Sequence, residues 1–375
     1  MTKIPPVDLS RQYNQIDQEA TAAVMAVLRS GYYIGGAEVK EFEQEFAAWV
    51  GTPHGVSCNS GTDALYLSLR AAQIGPGDEV ITSAFTFFAT AEVISAVGAT
   101  PVFVDIDPQT FNLDLDLLAA AITPRTKALL PVHLFGQPVD MTRLMAIAAQ
   151  NQLVVIEDCA QATGARWQGQ QVGSWGHFGA FSFFPTKNLG GCGDGGAVTL
   201  HQTESAQTLR MLKEHGSSRR YYHEQIGLNS RLDALQAAIL RVKLRYLEQW
   251  NQQRRQAALL YGQLLGNLEG IILPTETQGG THVWNQYTIR CLGNPLGSAS
   301  PREQVRQALL EKGIVTMIYY SLPLHYQPVY TSLGYKPGSL PNTELMCQEV
   351  LSLPLFPGIT AAEQEQVALA LQAAL

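Results

Sequence analysis

One lysine, Lys187, stands between an aromatic run and a run of glycines in the segment FSFFPTKNLGG, residues 181–191. Burial lowers the pKa of a lysine, and the neutral amine is the form that attacks carbonyl groups. The glycines allow backbone to pass close to a bound group. The segment predicts either a lysine that forms a Schiff base with a carbonyl ligand or an ordinary surface lysine on a hairpin.

A second candidate is the hydroxyl-rich segment SGTDAL, residues 60–65, which opens a helical pattern. Free amides and the dipole at a helix N-terminus bind phosphate, and Thr62 adds a hydroxyl donor. Ser60 is also a suitable N-cap residue. The segment therefore predicts a phosphate site or a plain helix cap.

The third candidate is a pair of carboxylates, Glu157 and Asp158, at the end of the apolar run VVI. In an open α/β sheet, ligands bind at the C-terminal ends of the strands. A carboxylate there can hold a positive charge such as a protonated ring nitrogen. The alternatives are a metal site or a solvated pair, and metal is the weaker one because no His or third carboxylate lies close by in sequence.

Short apolar runs alternate with helical patterns over the first two-thirds of the chain. This alternation predicts a mostly parallel sheet covered on both faces. A further pair of strands around a glycine-rich turn is expected at residues 178–184 and 196–200. The other expected strands are 78–82, 100–104, 128–132 and 153–156, and the expected helices are 89–96, 115–121 and 141–149.

The length of 375 residues predicts two domains that share an interface. A long helical pattern without proline, residues 234–265, can link them. The remainder is strand-like near 282–290 and helical at 302–312 and at the end. We expect a large domain at 1–250, including the N-terminal segment, and a smaller α/β domain at 251–375.

Composition excludes several classes of protein. The chain is 46% hydrophobic and 15% charged, with a formal net charge of −7, which disfavours nucleic-acid and anionic-membrane binding. The start lacks a basic stretch followed by an apolar run, and no segment has the length of a membrane helix. Five cysteines without a CxxC pair predict a reduced, cytoplasmic setting.

Taken together, the motifs resemble the DegT/DnrJ/EryC1/StrS family of sugar aminotransferases, which are fold-type I pyridoxal-phosphate enzymes. The resemblance covers almost the whole chain. The matching segments are NSGTDAL (59–65), FTFFAT (85–90), EDCAQA (157–162), FSFFPTKNL (181–189), GLNSRLDALQAA (227–238) and residues 319–325.

The resemblance implies that pyridoxal 5′-phosphate (PLP) is the cofactor. Lys187 is expected to form its Schiff base and then act as general acid and base. Asp158 is expected to pair with the pyridine nitrogen, Gln161 to reach the ring oxygen and Phe87 to lie against the ring. The expected phosphate ligands are Gly61, Thr62, Asp63 and Ser182, mainly through the amides of Thr62 and Asp63 and the Ser182 hydroxyl.

The resemblance also implies a homodimer with shared sites, in which Asn229 of one subunit completes the phosphate site of the other. The charged segment 210–225 suits an exposed arm that carries it there. Asn229 could alternatively cap a helix starting near Arg231. Arg231 and His325 are expected substrate contacts, or else an interface ion pair and a packed loop histidine.

The predicted reaction is transfer of an amino group, from glutamate by analogy, through pyridoxamine phosphate to a nucleotide-linked keto-sugar. Dehydrating relatives typically carry His at the lysine position, so Lys187 favours transfer. A regulatory role is the remaining alternative, and the acidic charge argues against it. The sugar, the nucleotide and the choice of C3 or C4 stay open, although residues 85–94 resemble C3 enzymes slightly more.

Cys159 replaces the small residue usual in the family, while Cys58 and Cys192 are expected to be buried thiols.

Overall fold

A computed structural model describes residues 3–293 and 301–375, so Met1, Thr2 and residues 294–300 lie outside the account. The helices are α1 Leu9–Ser30, α2 Gly36–Val50, α3 Gly61–Ala71, α4 Ala89–Ala96, α5 Leu118–Ala121, α6 Met141–Gln150, α7 Thr203–Leu212, α8 Ala234–Leu265, α9 Pro301–Glu311, α10 Pro341–Glu349 and α11 Ala361–Gln372. The strands are β1 His54–Cys58, β2 Glu79–Ser83, β3 Thr100–Val104, β4 Thr126–Leu130, β5 Val154–Asp158, β6 Arg166–Trp167, β7 Gln170–Gln171, β8 Phe178–Ser182, β9 Gly196–Leu200, β10 Ser217–Arg219, β11 Tyr222–His223, β12 Ile271–Ile272, β13 Gly280–Thr281, β14 Tyr287–Cys291 and β15 Val350–Leu353.

A seven-stranded sheet in the order β1-β9-β8-β5-β4-β2-β3 forms the centre of the protein. Adjacent pairs from β8 to β3 are parallel, whereas β9 is antiparallel to both of its neighbours. The prediction of a mostly parallel sheet is therefore confirmed, as is the predicted strand pair β8–β9. The carboxyl ends of β1, β2, β4, β5 and β8 meet at one edge of the sheet.

Both faces of this sheet are buried, because neighbouring residues of a strand point to opposite sides. In β5, Ile156 packs into the core under α3, α4 and α7, while Val155 packs into the core under α6. Farther along the sheet, Phe181 packs against α2 and α8. Helices on both faces are the arrangement that the alternating pattern predicts.

The 32-residue helix α8 joins this sheet to the C-terminal elements. Its first half packs against α2 and the sheet, and its last turns, including Tyr261 and Leu265, pack against β14, β15, α9 and α11. Ile4 lies in the same C-terminal cluster and bridges to Ile314. The N-terminal segment thus packs with the C-terminal elements, and the boundary at residue 250 stays a prediction that falls inside α8.

Several predicted elements differ in extent. The helix at 115–121 shrinks to Leu118–Ala121, because Asp114 accepts the Asp116 amide in a local turn. The strand near 282–290 is restricted to β14, because the backbone of Val283 and Asn285 bonds instead to the loop at residues 135–136. The strand expected at 128–132 is β4, which begins and ends two residues earlier.

The segment 210–225 is not a uniform arm. Its first three residues complete α7, where Leu212 is buried, and the rest includes the exposed hairpin β10–β11. Helix α8 begins only at Ala234, after the N-cap Asp233, which makes no side-chain capping bond. The alternative that Asn229 caps this helix is therefore wrong.

No helix within residues 3–293 and 301–375 combines the length and the apolar character needed to cross a bilayer.

Candidate active site

A cavity of about 630 Å³ opens at the carboxyl edge of the sheet. The turn after β1, the residues after β2, the ends of β5 and β8 and the segment at Tyr319 and Tyr320 line it. Lys187 and Asp158 both face this space. The fold thus brings the three sequence candidates, which are far apart along the chain, to one place.

Asp158 is the last residue of β5 and is 5% exposed. Its Oδ1 accepts a hydrogen bond from the Ala160 amide at 3.1 Å, and its Oδ2 accepts one from the Thr90 hydroxyl at 2.9 Å. Burial raises the pKa of this carboxyl, while the two donors and the positive charge of Lys187 oppose that rise. The carboxylate is therefore fixed in orientation and has lone pairs left to meet a cation in the cavity.

Lys187 lies five residues beyond the end of β8, and its amide donates to the Phe184 carbonyl at 2.9 Å. Loss of hydration lowers the pKa of its amine, and the nearby Asp158 charge only partly offsets this effect. The lowered pKa increases the fraction of neutral amine at physiological pH. The surface-lysine alternative is wrong, because this side chain is partly buried and lines the cavity.

The phosphate candidate lies at the N-terminus of α3. Ser60 caps the helix, and its Oγ accepts a bond from the Asp63 amide at 3.0 Å. Gly61, Thr62 and Ser182 line the cavity, whereas Asp63 does not. The amides of Gly61 and Thr62 have no carbonyl one turn earlier to bond, so both the cap and the phosphate interpretations fit, but the Asp63 amide is already engaged.

Close approach of two chain segments requires glycine at position 61. A Cβ added there would lie 2.6 Å from Cβ of Ser182, a distance that real Cβ atoms do not show. The Ser182 hydroxyl and the first amides of α3 consequently sit side by side. This cradle of small groups is suited to a bound phosphate.

Gln161 and Phe87 also face the cavity. The amide of Gln161 is held at both ends, since Oε1 accepts from the Phe135 amide at 2.7 Å and Nε2 donates to the Tyr320 hydroxyl at 3.1 Å. Phe87 is 58% exposed at the mouth, with its ring centroid 6.4 Å from that of Tyr320. Phe87 is therefore free to cover a planar ligand.

Three expected site residues lie away from the cavity of their own chain. His325 is buried, with its Nε2 3.3 Å from Glu344 Oε1, as expected for a packed loop histidine. Its short 3-10 helix, Leu324–Tyr326, turns the ring away from the cavity that Tyr319 and Tyr320 line. Arg231 pairs with Glu214 at 3.4 Å within the chain, and Asn229 is exposed.

Sequence reasoning missed Thr86, Thr90, Gln286 and Asp194, all of which line the cavity. The threonines stand in the segment FTFFAT, but Thr86 precedes α4 and Thr90 lies in its first turn, so their spacing along the chain gave no signal of their contact. It also missed Asn188, the buried residue next to Lys187, which bonds to Asn251. Cys192 is exposed, contrary to expectation, while Cys58 and Cys159 are buried.

Directly behind Asp158, the buried side chains of His133, Glu157 and Cys159 lie within 4.8 Å of one another. Glu157 already accepts hydrogen bonds from the amides of residues 173, 175 and 176 and lies 3.1 Å from His133 Nε2. His133 Nδ1 accepts from the Val139 amide, so Nε2 is the atom that donates to Glu157. The group therefore serves as an internally bonded support for the end of β5.

A mostly parallel sheet with a buried aspartate and a partly buried lysine at its carboxyl edge is the arrangement of the fold-type I class of PLP-dependent enzymes. A model of the DegT/DnrJ/EryC1/StrS aminotransferase family matches residues 14–372. The chain belongs to this family.

Individual relatives and solved structures are also similar over nearly the whole chain. A Geobacillus stearothermophilus protein named pleiotropic regulatory protein is 49% identical, with 97% of this chain and 96% of that protein covered. UDP-N-acetyl-3-dehydro-alpha-D-glucosamine 3-aminotransferase from Acidithiobacillus ferrooxidans is 45% identical, with coverage of 98% and 96%. The crystal structure of S. venezuelae DesV in complex with a ketimine intermediate matches with a TM-score of 0.95 at 43% identity, covering 100% of this chain and 98% of that one. Similar solved aminotransferases include PLP and PMP forms.

Proposed function

We propose that the protein is a PLP-dependent aminotransferase that transfers an amino group from an amino acid, with glutamate as the donor, to C3 of a nucleotide-linked keto-sugar. The observation that carries the proposal is the meeting of Lys187 and Asp158 in one cavity. The relative from Acidithiobacillus ferrooxidans is named for amination at position 3 of a UDP-linked sugar, and this supports both the substrate class and the position.

The residues present fit the cofactor. Asp158 offers an oriented carboxylate for the ring nitrogen, Lys187 an amine for the aldehyde, and the first amides of α3 with Ser182 a cradle for the phosphate. When bound there, the cofactor supplies an electron sink for the carbon that exchanges its amino group. Phe87 at the mouth can cover the ring and exclude water.

Lys187 performs the proton transfers. Burial lowers the pKa of its amine and so favours the neutral form, which can take a proton from the reacting carbon and return one. Asp158 keeps the opposite end of the site negative, which stabilises a protonated ring nitrogen. A dehydrating function is disfavoured, because the dehydrating relatives typically carry His where Lys187 stands.

We also propose a homodimer in which Asn229 and Arg231 act at the neighbour's site. Both lie on the exposed side of the chain between β11 and α8 and outside their own cavity. Nearby Tyr221 and Ile226 are 82% and 84% exposed, an apolar surface suited to a partner subunit. A two-fold axis would repeat the exchange at both sites.

A regulatory function is the second candidate, because one relative is named a pleiotropic regulatory protein. Lys187 and Asp158 both line one open cavity, and this favours catalysis over a regulatory role alone. An assay for transfer of the amino group distinguishes the two functions, because only the catalytic one gives an amino sugar.

The test is a panel of UDP- and dTDP-linked 3-keto and 4-keto sugars, incubated with nitrogen-15 glutamate and read by mass. We expect a labelled amino sugar from a 3-keto substrate, no product from Lys187→Ala, and full activity from the control Lys127→Ala, whose side chain is exposed. Absence of an amino sugar with every substrate and several amino donors would leave the proposal without support. Product from a 4-keto substrate alone would correct the position.

A further inference from the structure

Two buried threonines form a chain of hydroxyls that ends on Asp158. Thr90 Oγ1 lies 2.9 Å from Asp158 Oδ2, and Thr86 Oγ1 lies 3.1 Å from Thr90 Oγ1. Thr90 is 1% exposed and Thr86 is 3% exposed. Water therefore cannot easily replace either hydroxyl.

The order of the protons in this chain follows from the chemistry of its end. An ionised carboxylate only accepts hydrogen bonds, so Thr90 must donate its single proton to Asp158. Thr90 then has only acceptor capacity left for its neighbour, and Thr86 must donate to it. Each donation polarises the next bond, so the chain favours negative charge on Asp158.

The connection between β2 and α4 holds this arrangement. Thr90 lies in the first turn of α4, and its amide donates to the carbonyl of Phe87 at 3.2 Å. Thr86 lies in the bend that precedes this turn, outside the helix, and its buried hydroxyl meets that of Thr90. The same connection thus carries Phe87 at the cavity mouth and the two hydroxyls at Asp158.

We propose that Thr90 is a positioning residue that, with Thr86 behind it, keeps Asp158 ionised and aimed at the cation that occupies the cavity. The inference rests on the proposed function, since that cation is the protonated ring nitrogen of the cofactor.

Asp158 needs such donors because its surroundings oppose its charge. Burial raises the pKa of its carboxyl. The groups that favour its charge are the Ala160 amide, the Thr90 hydroxyl and Lys187. The neighbouring Tyr320 phenol and Cys159 thiol are neutral, because burial raises the pKa of each. Without the Thr90 hydroxyl, the shared proton would move from the ring nitrogen towards Asp158.

The experiment compares Thr90→Val, which keeps the shape of the side chain, with Thr90→Ser, which keeps the hydroxyl. Thr82→Val is the matched control, because Thr82 is also fully buried, in β2 just before Thr86 in the chain, but donates to the Leu130 carbonyl instead of Asp158. The first readout is the pH titration of the visible absorbance of each cofactor-loaded protein. The second is the separate change of kcat and KM.

For Thr90→Val we expect the titration midpoint to rise by about one pH unit, the effect of losing a hydrogen bond to a charged group. A ring nitrogen without its proton withdraws less electron density from the nitrogen joined to Lys187, so that nitrogen becomes more basic. We expect kcat to fall about tenfold or more while KM stays within about twofold. Thr90→Ser and Thr82→Val should retain the wild-type midpoint.

An unchanged midpoint in Thr90→Val, or an equal shift in Thr82→Val, overturns the inference. If Thr90→Val does not fold or load, Thr86→Val decides instead, with a smaller shift expected in the same direction and no shift counting against the proposal. A wild-type protein that never shows a visible cofactor band refutes the proposed function itself, so the two failures are distinguishable.

Discussion

Asn188 donates through Nδ2 to Oδ1 of Asn251 at 2.7 Å, which ties the residue after Lys187 to the middle of α8. The same Nδ2 donates to the Val283 carbonyl, and Oδ1 of Asn188 accepts from Asn285 at 2.8 Å. All three asparagines are at least 95% buried. The loop that carries the lysine is thus held by both the linking helix and the C-terminal elements.

Replacing Asn251 by alanine is expected to lower the free energy of unfolding by about 2–3 kcal/mol, because one N–H of the buried Asn188 amide loses its acceptor and the buried Thr163 carbonyl loses its donor. We also expect a lower kcat, since Lys187 loses its fixed position. Chemical denaturation and steady-state kinetics measure the two effects. Asn151→Ala, at an exposed site, is the control, and equal stability of the two variants would contradict the account.

Asp158→Asn is expected to bind the cofactor and lose nearly all transfer. The amide cannot hold a proton on the ring nitrogen, and each unit of pKa change corresponds to about 1.4 kcal/mol between protonation states. Cofactor binding is followed by absorbance and transfer by product mass. Wild-type turnover in this variant would show that Asp158 is not the partner of the ring nitrogen.

Some positions in the site follow from the residue types of their own segment, whereas others depend on contacts with distant parts of the chain. The positions of Lys187, Asp158 and Gly61 at one cavity were predictable, because each stands in a segment whose residue types suit one chemical task and because parallel strands share a carboxyl edge. Thr90 and Asn188 were not, since their roles depend on which distant side chain they meet. His325 follows two cavity residues in sequence, yet one short 3-10 turn directs it to Glu344 instead.

A surface ion pair far from the site gives a test of pH dependence. Arg11 of α1 forms two bonds to Glu363 of α11, and this contact lowers the pKa of that carboxyl to about 2. A carboxyl with a lowered folded-state pKa stabilises the protein above its unfolded pKa, near 4.5, and loses that contribution as pH falls towards 2.

We therefore expect Glu363→Gln to cost about 1–2 kcal/mol at pH 7, discounted for partial exposure of the pair, and progressively less below pH 4.5. Glutamine at this position preserves the capping box with Thr360, so the change isolates the charge. Thermal unfolding at several pH values measures the difference, with Glu365→Gln on the same helix as control. A cost that does not shrink in acid would argue against the ion pair as its source.

The shared site can be tested by mixing Lys187→Ala chains with Asn229→Ala chains. If Asn229 acts across the dimer, one site of each hybrid collects both defects and the other is intact. Random exchange should then restore about a quarter of wild-type activity, well above either parent. Absence of rescue despite proven exchange, or a fully active monomer, would contradict sharing.

Borohydride reduction followed by peptide mapping shows which lysine binds the cofactor, a role that we propose for Lys187. The reagent fixes the bond between lysine and cofactor, so the label marks the residue that formed it. We expect one labelled peptide, with the adduct on Lys187, and no label in Lys187→Ala. A label on another lysine, or a wild-type protein that takes no label after incubation with the cofactor, would contradict it.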